Sequence, residues 1–247
     1  MNRNRSWEFP VSTSETFYGI GSYILESLDS QPSLPARSLK SGARTLWTNP
    51  ESIVDEIEAA AAGSGSPPRV QFSRSAACTP KVLEQLDQCC RRFGSRIVVC
   101  FSGFYKEEFD AEILRGLPSV CALYIDVSQA RNLQSLGRLE YLEEFGVGIR
   151  EGDYPQILTL PGIQAVHRLV LMDNRRNNVD LAPLVVFPNL AHLHLCAHAR
   201  NIEILEQLTG VRRLALNQMG KSVKFPWLQA MTGLRDLTFF SGPHRHR

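Results

Sequence analysis

Apolar residues recur along this chain with one spacing, apolar-x-x-apolar-x-apolar, six times between Val120 and Phe239. The copies are Val120/Leu123/Ile125, Leu142/Phe145/Val147, Val166/Leu169/Leu171, Leu190/Leu193/Leu195, Val211/Leu214/Leu216 and Leu234/Leu237/Phe239. Counted between middle residues, the steps are 22, 24, 24, 21 and 23. Within each copy the last two apolar positions alternate with others, which predicts a short strand with one face buried. In the fourth copy Leu193 and Leu195 point into a core, while His192, His194 and Cys196 point out. One such unit cannot bury its apolar side alone. Stacked neighbours make a parallel sheet with an outer layer of helical turns.

The approach to the strands repeats too. Leu117-Pro118-Ser119-Val120, Leu160-Pro161-Gly162-Ile163, Phe187-Pro188-Asn189-Leu190, Leu208-Thr209-Gly210-Val211 and Met231-Thr232-Gly233-Leu234 set a turn-forming pair between apolar residues. In the third copy this turn lies three residues further upstream, which marks a small insertion. Unrelated strands of a mixed α/β domain do not carry a period and its turns together. This spacing resembles the leucine-rich repeat family over Leu117 to Phe240, and is nearest to its short intracellular bacterial members. The resemblance implies an α/β leucine-rich repeat solenoid: a curved parallel sheet with a helical or irregular outer layer, preceded by a small N-terminal α/β cap. The family usually places Asn or Cys three residues after the last strand apolar, where the side chain satisfies turn backbone. Here only Asn174 fits, and Ser128, Arg150, His198, Met219 and Gly242 stand at the equivalent positions. Other groups or water must satisfy those turns.

Two weaker copies precede the clear ones. Arg96 to Phe101 is apolar and β-branched, as a buried parallel strand is, and Arg69 to Ser73 alternates. Between them Thr79-Pro80 predicts a helix to Phe93, stopped by Gly94, with the stripe Val82, Leu83, Leu86, Cys89, Cys90 and Phe93. Thr48-Asn49-Pro50 predicts another helix through Ala62, with the stripe Ile53, Val54, Ile57, Ala60 and Ala61. Gly63-Ser64-Gly65-Ser66-Pro67-Pro68 reads as a linker. Residues 10–45, with Pro10, Gly19, Gly21, Pro32, Pro35 and Gly42, read as short strands and loops. The expected organisation is an N-terminal capping region with one helix over residues 1–66 and a solenoid over 67–247, its clear repeats at 117–240.

A net charge of +2 over 247 residues argues against an obligatory nucleic-acid partner. No run of 18 apolar residues predicts a membrane span. Met1 to Pro10 is basic but lacks the apolar core of a secretory signal. Six cysteines, at 78, 89, 90, 100, 121 and 196, form no Cys-x-x-Cys pair, so they read as reduced thiols of a cytoplasmic protein.

The chain lacks Gly-x-Ser-x-Gly, His-Glu-x-x-His and a phosphate loop. His192, His194 and Cys196 share one strand face and His198 follows in the turn; two of them would suit zinc, and a catalytic Cys–His pair is the other reading. No carboxylate supplies an outer shell for a metal. The expectation is therefore polar inner-face residues, with no metal, no cofactor and no enzymatic activity. The tail His244-Arg245-His246-Arg247 reads as disordered. The acidic run Glu140, Glu143, Glu144, Glu151 and Asp153 and the basic run Arg175, Arg176, Arg200, Arg212 and Arg213 read as solvated faces or as a charge-patterned docking surface.

The repeat register alone gives the inner face: Ala122, Tyr124, Asp126; Glu144, Gly146, Gly148; Arg168, Val170, Met172; His192, His194, Cys196; Arg213, Ala215, Asn217; and Asp236, Thr238, Phe240. Such a mixture of aromatic, Met, Arg and acidic residues suits a protein-binding surface better than a substrate pocket. The candidate contact residues are Tyr124, Asp126, Glu144, Arg168, Val170, Met172, His192, His194, Arg213, Asn217, Asp236 and Phe240. The expected function is a non-catalytic module that docks on or masks a partner protein, as an immunity or adaptor protein; the alternative is a regulatory or substrate-recruiting subunit of an enzyme complex. Only Ser241 to Arg247 follow the last strand, too few for a return segment. The expectation there is a truncated or shortened array, or else a last repeat covered by a partner or by a second copy.

Overall fold

The register between strands follows the spacing read from the sequence. The structure is a computed structural model describing residues 39–41, 44–53, 55–151, 155–172, 179–219 and 224–240. In chain order its elements are β1 (Leu39–Ser41), β2 (Arg44–Thr48), α1 (Asp55–Ala62), β3 (Arg69–Phe72), α2 (Pro80–Phe93), β4 (Val98–Gly103), β5 (Phe109–Asp110), β6 (Ala122–Arg131), β7 (Glu144–Glu151), α3 (Pro161–Gln164), β8 (Arg168–Leu171), β9 (His192–Cys196), β10 (Arg213–Asn217) and β11 (Asp236–Phe240). They make one sheet ordered β1-β2-β3-β4-β6-β7-β8-β9-β10-β11, antiparallel between β1 and β2 and parallel thereafter; β5 pairs with β6 off this path. Leu123 pairs with Phe145, then Leu169, Leu193, Leu214 and Leu237. Each sequence step is therefore the distance between directly paired residues. This is a leucine-rich repeat solenoid.

Two backbone devices recur with the period. The carbonyls of Cys121, Glu143, His167, Ala191 and Arg212 each accept two successive N–H groups of the next repeat, at 2.7–3.2 Å. The turns before the strands close by one bond, from Val120 N to Leu117 O, Val166 N to Ile163 O, Val211 N to Leu208 O and Leu234 N to Met231 O, at 3.0–3.3 Å. The outer layer consists mostly of 3₁₀ turns, at Ala111–Gly116, Leu133–Arg138, Pro155–Thr159, Ala182–Val186, Ile202–Gln207 and Pro226–Gln229. They bury Leu114, Leu136, Ile157, Leu184, Leu205 and Trp227 against the strand apolars. At the insertion in the third copy, Leu160-Pro161 starts α3. Gly162 is needed there, because a Cβ would lie 2.8 Å from the Leu139 carbonyl oxygen.

Side chains that the consensus does not use hold the turns. Asp110 accepts from the N–H of Glu112 at 3.0 Å and from Asn132 Nδ2 at 2.9 Å, and pairs with Arg131 at 2.8 Å. Three repeats later the same four groups return: Asp180 accepts from the N–H of Ala182 at 2.9 Å and from Asn201 Nδ2 at 2.8 Å, with Arg200 at 3.7 Å. Asn132 and Asn201 both sit at positive φ, 56° and 57°, which Asn tolerates better than most residues. At the ladder position, His198 is buried. Its Nδ1 accepts from the N–H of Val179 at 3.2 Å, and its Nε2 lies 2.8 Å from the Met172 carbonyl. A histidine thus does the work that the family gives to asparagine.

The N-terminal end meets the sequence in part. α2 forms as expected: Thr79 Oγ1 accepts from Val82 N at 3.3 Å, and Gly94 takes φ 57° at its end. Its buried Asp87 accepts from the Ser119 N–H at 2.7 Å and pairs with Arg91 at 3.2 Å, tying the helix to the turn before β6. The helix expected from Pro50 starts only at Asp55. Asn49 explains the delay: it turns the chain at φ 47° and exchanges side-chain bonds with Ser73, Nδ2 to Oγ at 2.8 Å and Ser73 N to Oδ1 at 2.9 Å. The strand expected from Arg96 begins at Val98, because Gly94–Arg96 form a 3₁₀ turn. Residues 10–38, Val54, Asp153, Asn174, Arg175, Arg176 and 241–247, on which other expectations fell, lie outside the described residues.

Candidate functional site

A parallel sheet backed on one side by bulkier turns curves around its open face. On that face the outward residues of successive strands line up in rows, with neighbours in a row about 4.8 Å apart. The first row runs Arg69, Val98, Ala122, Glu144, Arg168, His192, Arg213, Asp236. The second runs Gln71, Cys100, Tyr124, Gly146, Val170, His194, Ala215, Thr238. In the third, Ser102 pairs with Asp126 and Asp126 with Gly148, while Cys196 pairs with Asn217 and Asn217 with Phe240; Met172 Cβ lies beside Gly148.

The first row is a chain of polar contacts. The Tyr124 hydroxyl donates to Glu144, whose other oxygen lies 3.2 Å from Arg168 Nη1. Arg168 Nε donates to His192 Nδ1 at 3.3 Å. Further along, Arg213 Nε meets Asp236 at 2.9 Å. Since His192 Nδ1 accepts, its proton sits on Nε2 and the ring is neutral. Burial, then the neighbouring Arg168 and Arg213, push its pKa down to about 4. Arg213 and Asp236 remain 44% and 42% exposed, so this end of the row is open to a partner.

The second row is different, and here the expectation of exposed residues is corrected. Tyr124 is 4% exposed, Val170 2% and His194 5%. Tyr124 lies across β7, where a Cβ at Gly146 would overlap its ring, and the Arg69 guanidinium stacks over it at 5.5 Å. With Val98, Cys100, Ala122, Val170 and the half-buried Met172 it forms a small apolar cluster on the open face. Burial, and then Glu144, raise the phenol well above its usual range. Burial also lowers His194 to about 4, keeping it neutral.

The candidate residues therefore divide. Arg213 and Asp236 form the open end of the first row; Glu144, Arg168 and His192 are half-buried along it, as are Asp126, Met172 and Asn217 beside it. Tyr124, Val170 and His194 lie buried in the second row. Phe240 is placed by its backbone pairing with Asn217, and its side chain lies outside the described residues. Sequence reasoning missed Arg69, Val98 and Cys100, although extending the register into the two weaker copies would have found them. Among the described residues, no three His, Cys, Asp or Glu side chains are grouped to hold a metal ion. An open groove of about 630 Å³ lies instead on the outer side, between α2 and residues 111–116. Two of its three carboxylates, Asp87 and Glu112, are engaged by Arg91, Ser119, Arg115 and Arg138. No helix among the described residues is long and apolar enough to cross a membrane.

Comparison with protein-family models and with curated proteins gives no match. Among solved structures, the chain is similar to an internalin, InlF, from Listeria monocytogenes str. 4b F2365, with 15% identity and a TM-score of 0.48 over 81% of this chain and 54% of that one. It is also similar to internalin C2, InlC2, from the same strain, with 15% identity and a TM-score of 0.43 over 80% of each chain. The chain thus spans about half the length of the first. A likeness at this identity concerns fold alone, and the repeat architecture rests on the register described above.

Proposed function

We propose that this protein is a non-catalytic binding module that docks on or masks another protein through the concave face of its sheet. The observation that carries this reading is the first row. Five consecutive strands present Glu144, Arg168, His192, Arg213 and Asp236 side by side, already held by their mutual contacts. Side chains fixed before binding lose less entropy on binding, and paired opposite charges select a partner by charge pattern more than by net charge. Met172 and Asn217 extend the contact. Stoichiometric masking, as by an immunity or adaptor protein of the cytoplasm, is the role that such a surface serves without chemistry. Phe239, 52% exposed on β11, supports a further contact, self-association through the last described strand.

The test is capture of a stoichiometric partner by the purified chain, followed by affinity measurement with Arg213→Glu and with Arg168→Ala. The expected result is a loss of at least about tenfold in affinity for each at unchanged melting temperature, about 1.4 kcal/mol. Equal affinity in both variants would place the contact elsewhere. Light scattering at rising concentration checks self-association, and Phe239→Ser should abolish any that occurs.

A further inference from the structure

The buried ring of His198 joins two points of the chain that the sequence separates by six polar residues. Its Nδ1 accepts from the Val179 N–H at 3.2 Å, and its Nε2 lies 2.8 Å from the Met172 carbonyl. Since Nδ1 accepts, Nε2 carries the proton and donates to Met172. One neutral tautomer satisfies both backbone groups. Met172 follows β8, and Val179 opens the return segment of the same repeat. Between them the sequence reads Asp173-Asn174-Arg175-Arg176-Asn177-Asn178.

An imidazolium has no acceptor. Protonation would set an N–H against the Val179 N–H in a buried site, and taking the acceptor away from the Val179 N–H is costly. We propose that His198 is a pH-sensitive clasp: neutral, it holds the end of β8 and the start of the return segment together, and on acidification it releases Val179. The charged groups next to these contacts in sequence are Asp180 and Arg200, with Asp173, Arg175 and Arg176 between Met172 and Val179. Asp180 is already engaged by Ala182 N–H, Asn201 and Arg200. Asparagine, the family's ladder residue, offers the same acceptor and donor without titrating. A histidine here therefore adds pH dependence to an otherwise equivalent bracket.

Amide hydrogen exchange of the full chain at pH 7.5 and pH 5.5, corrected for the intrinsic rate, tests this. The expected result is that protection of the Val179 amide falls at least about fivefold at pH 5.5. In His198→Asn it should be equal at both pH values, and in His198→Ala low at both. Equal protection in the parent chain at both pH values, or the same acid loss in His198→Asn, would overturn the proposal. Should His198→Ala fail to fold, the parent and the Asn variant still decide.

Discussion

The ring of Tyr124 occupies the space that a side chain at position 146 would fill, so that Gly146 and Tyr124, paired across β6 and β7, form one packed unit. A side chain at 146 must displace a ring that is itself only 4% exposed. Gly146→Val should therefore destabilise the chain by about 2–3 kcal/mol, in the range of overpacked sites. Tyr124→Ala alone should cost about 3–5 kcal/mol. The double variant should cost clearly less than the sum, because the second change no longer meets the first residue. Urea unfolding of the three variants measures this, and additive losses would show that the two do not share space.

The core row gives the sharpest check of register. Leu169 and Leu193 are fully buried and directly paired. Leu169→Ala or Leu193→Ala should each cost about 2–5 kcal/mol by lost transfer and a residual cavity. Arg213→Ala, one residue before a core position, should stay within about 0.5 kcal/mol. A slip of one residue would reverse this order.

The Asp110 and Asp180 clasps predict matched effects at two distant places. Bonds from Asn132, then from the Glu112 N–H and Arg131, hold the Asp110 carboxyl below its usual range; for Asp180 the Ala182 N–H comes first and then Asn201. Asn132→Gly and Asn201→Gly keep the positive φ and remove the bond, so each should cost about 1 kcal/mol. Asn132→Ala, which also strains the turn, should cost more. Because both folded carboxyls titrate below their unfolded values, this contribution is complete above pH 4 and is lost as pH falls further. Unfolding midpoints at pH 7 and pH 3 should converge between parent and Gly variants at the lower value.

His194 should add acid sensitivity in another window. Its folded value of about 4 lies below the ordinary 6.5, so the neutral ring is the one the fold accepts. Its contribution is intact above pH 6.5 and is lost as pH falls towards 4, by at most about 3 kcal/mol. His194→Val, matching its row neighbour Val170, should remove that part of the loss between pH 6.5 and pH 4. An unchanged pH profile in the variant would assign the acid loss to other groups.

The strands, their faces and their order were legible because one spacing repeats, and a period fixes which residues pair. Burial on the open face was not. Whether Tyr124 stands out or lies flat depends on Gly146, 22 residues away, and on Arg69 from an earlier strand, and no pattern within β6 records either. Pro50 suits a first helical turn and so points to an earlier start of α1, while Asn49 spends its side chain on Ser73 instead. His198 is visible in the sequence as a departure from the Asn ladder, but the backbone groups it meets, Val179 N–H and the Met172 carbonyl, come to it only through the fold. The Asp–Asn clasps lie outside the strand spacing and were invisible to it.

The five carbonyls that each hold two N–H groups of the next repeat give the chain a simple grammar. Every repeat is addressed by its predecessor alone, through backbone that any sequence supplies. Exposed side chains such as Arg213 are thereby spared that task and left to vary along the open rows. Evolution can lengthen, shorten or re-letter such a surface one line at a time, and what is rewritten at Arg213 need not be negotiated with Tyr124.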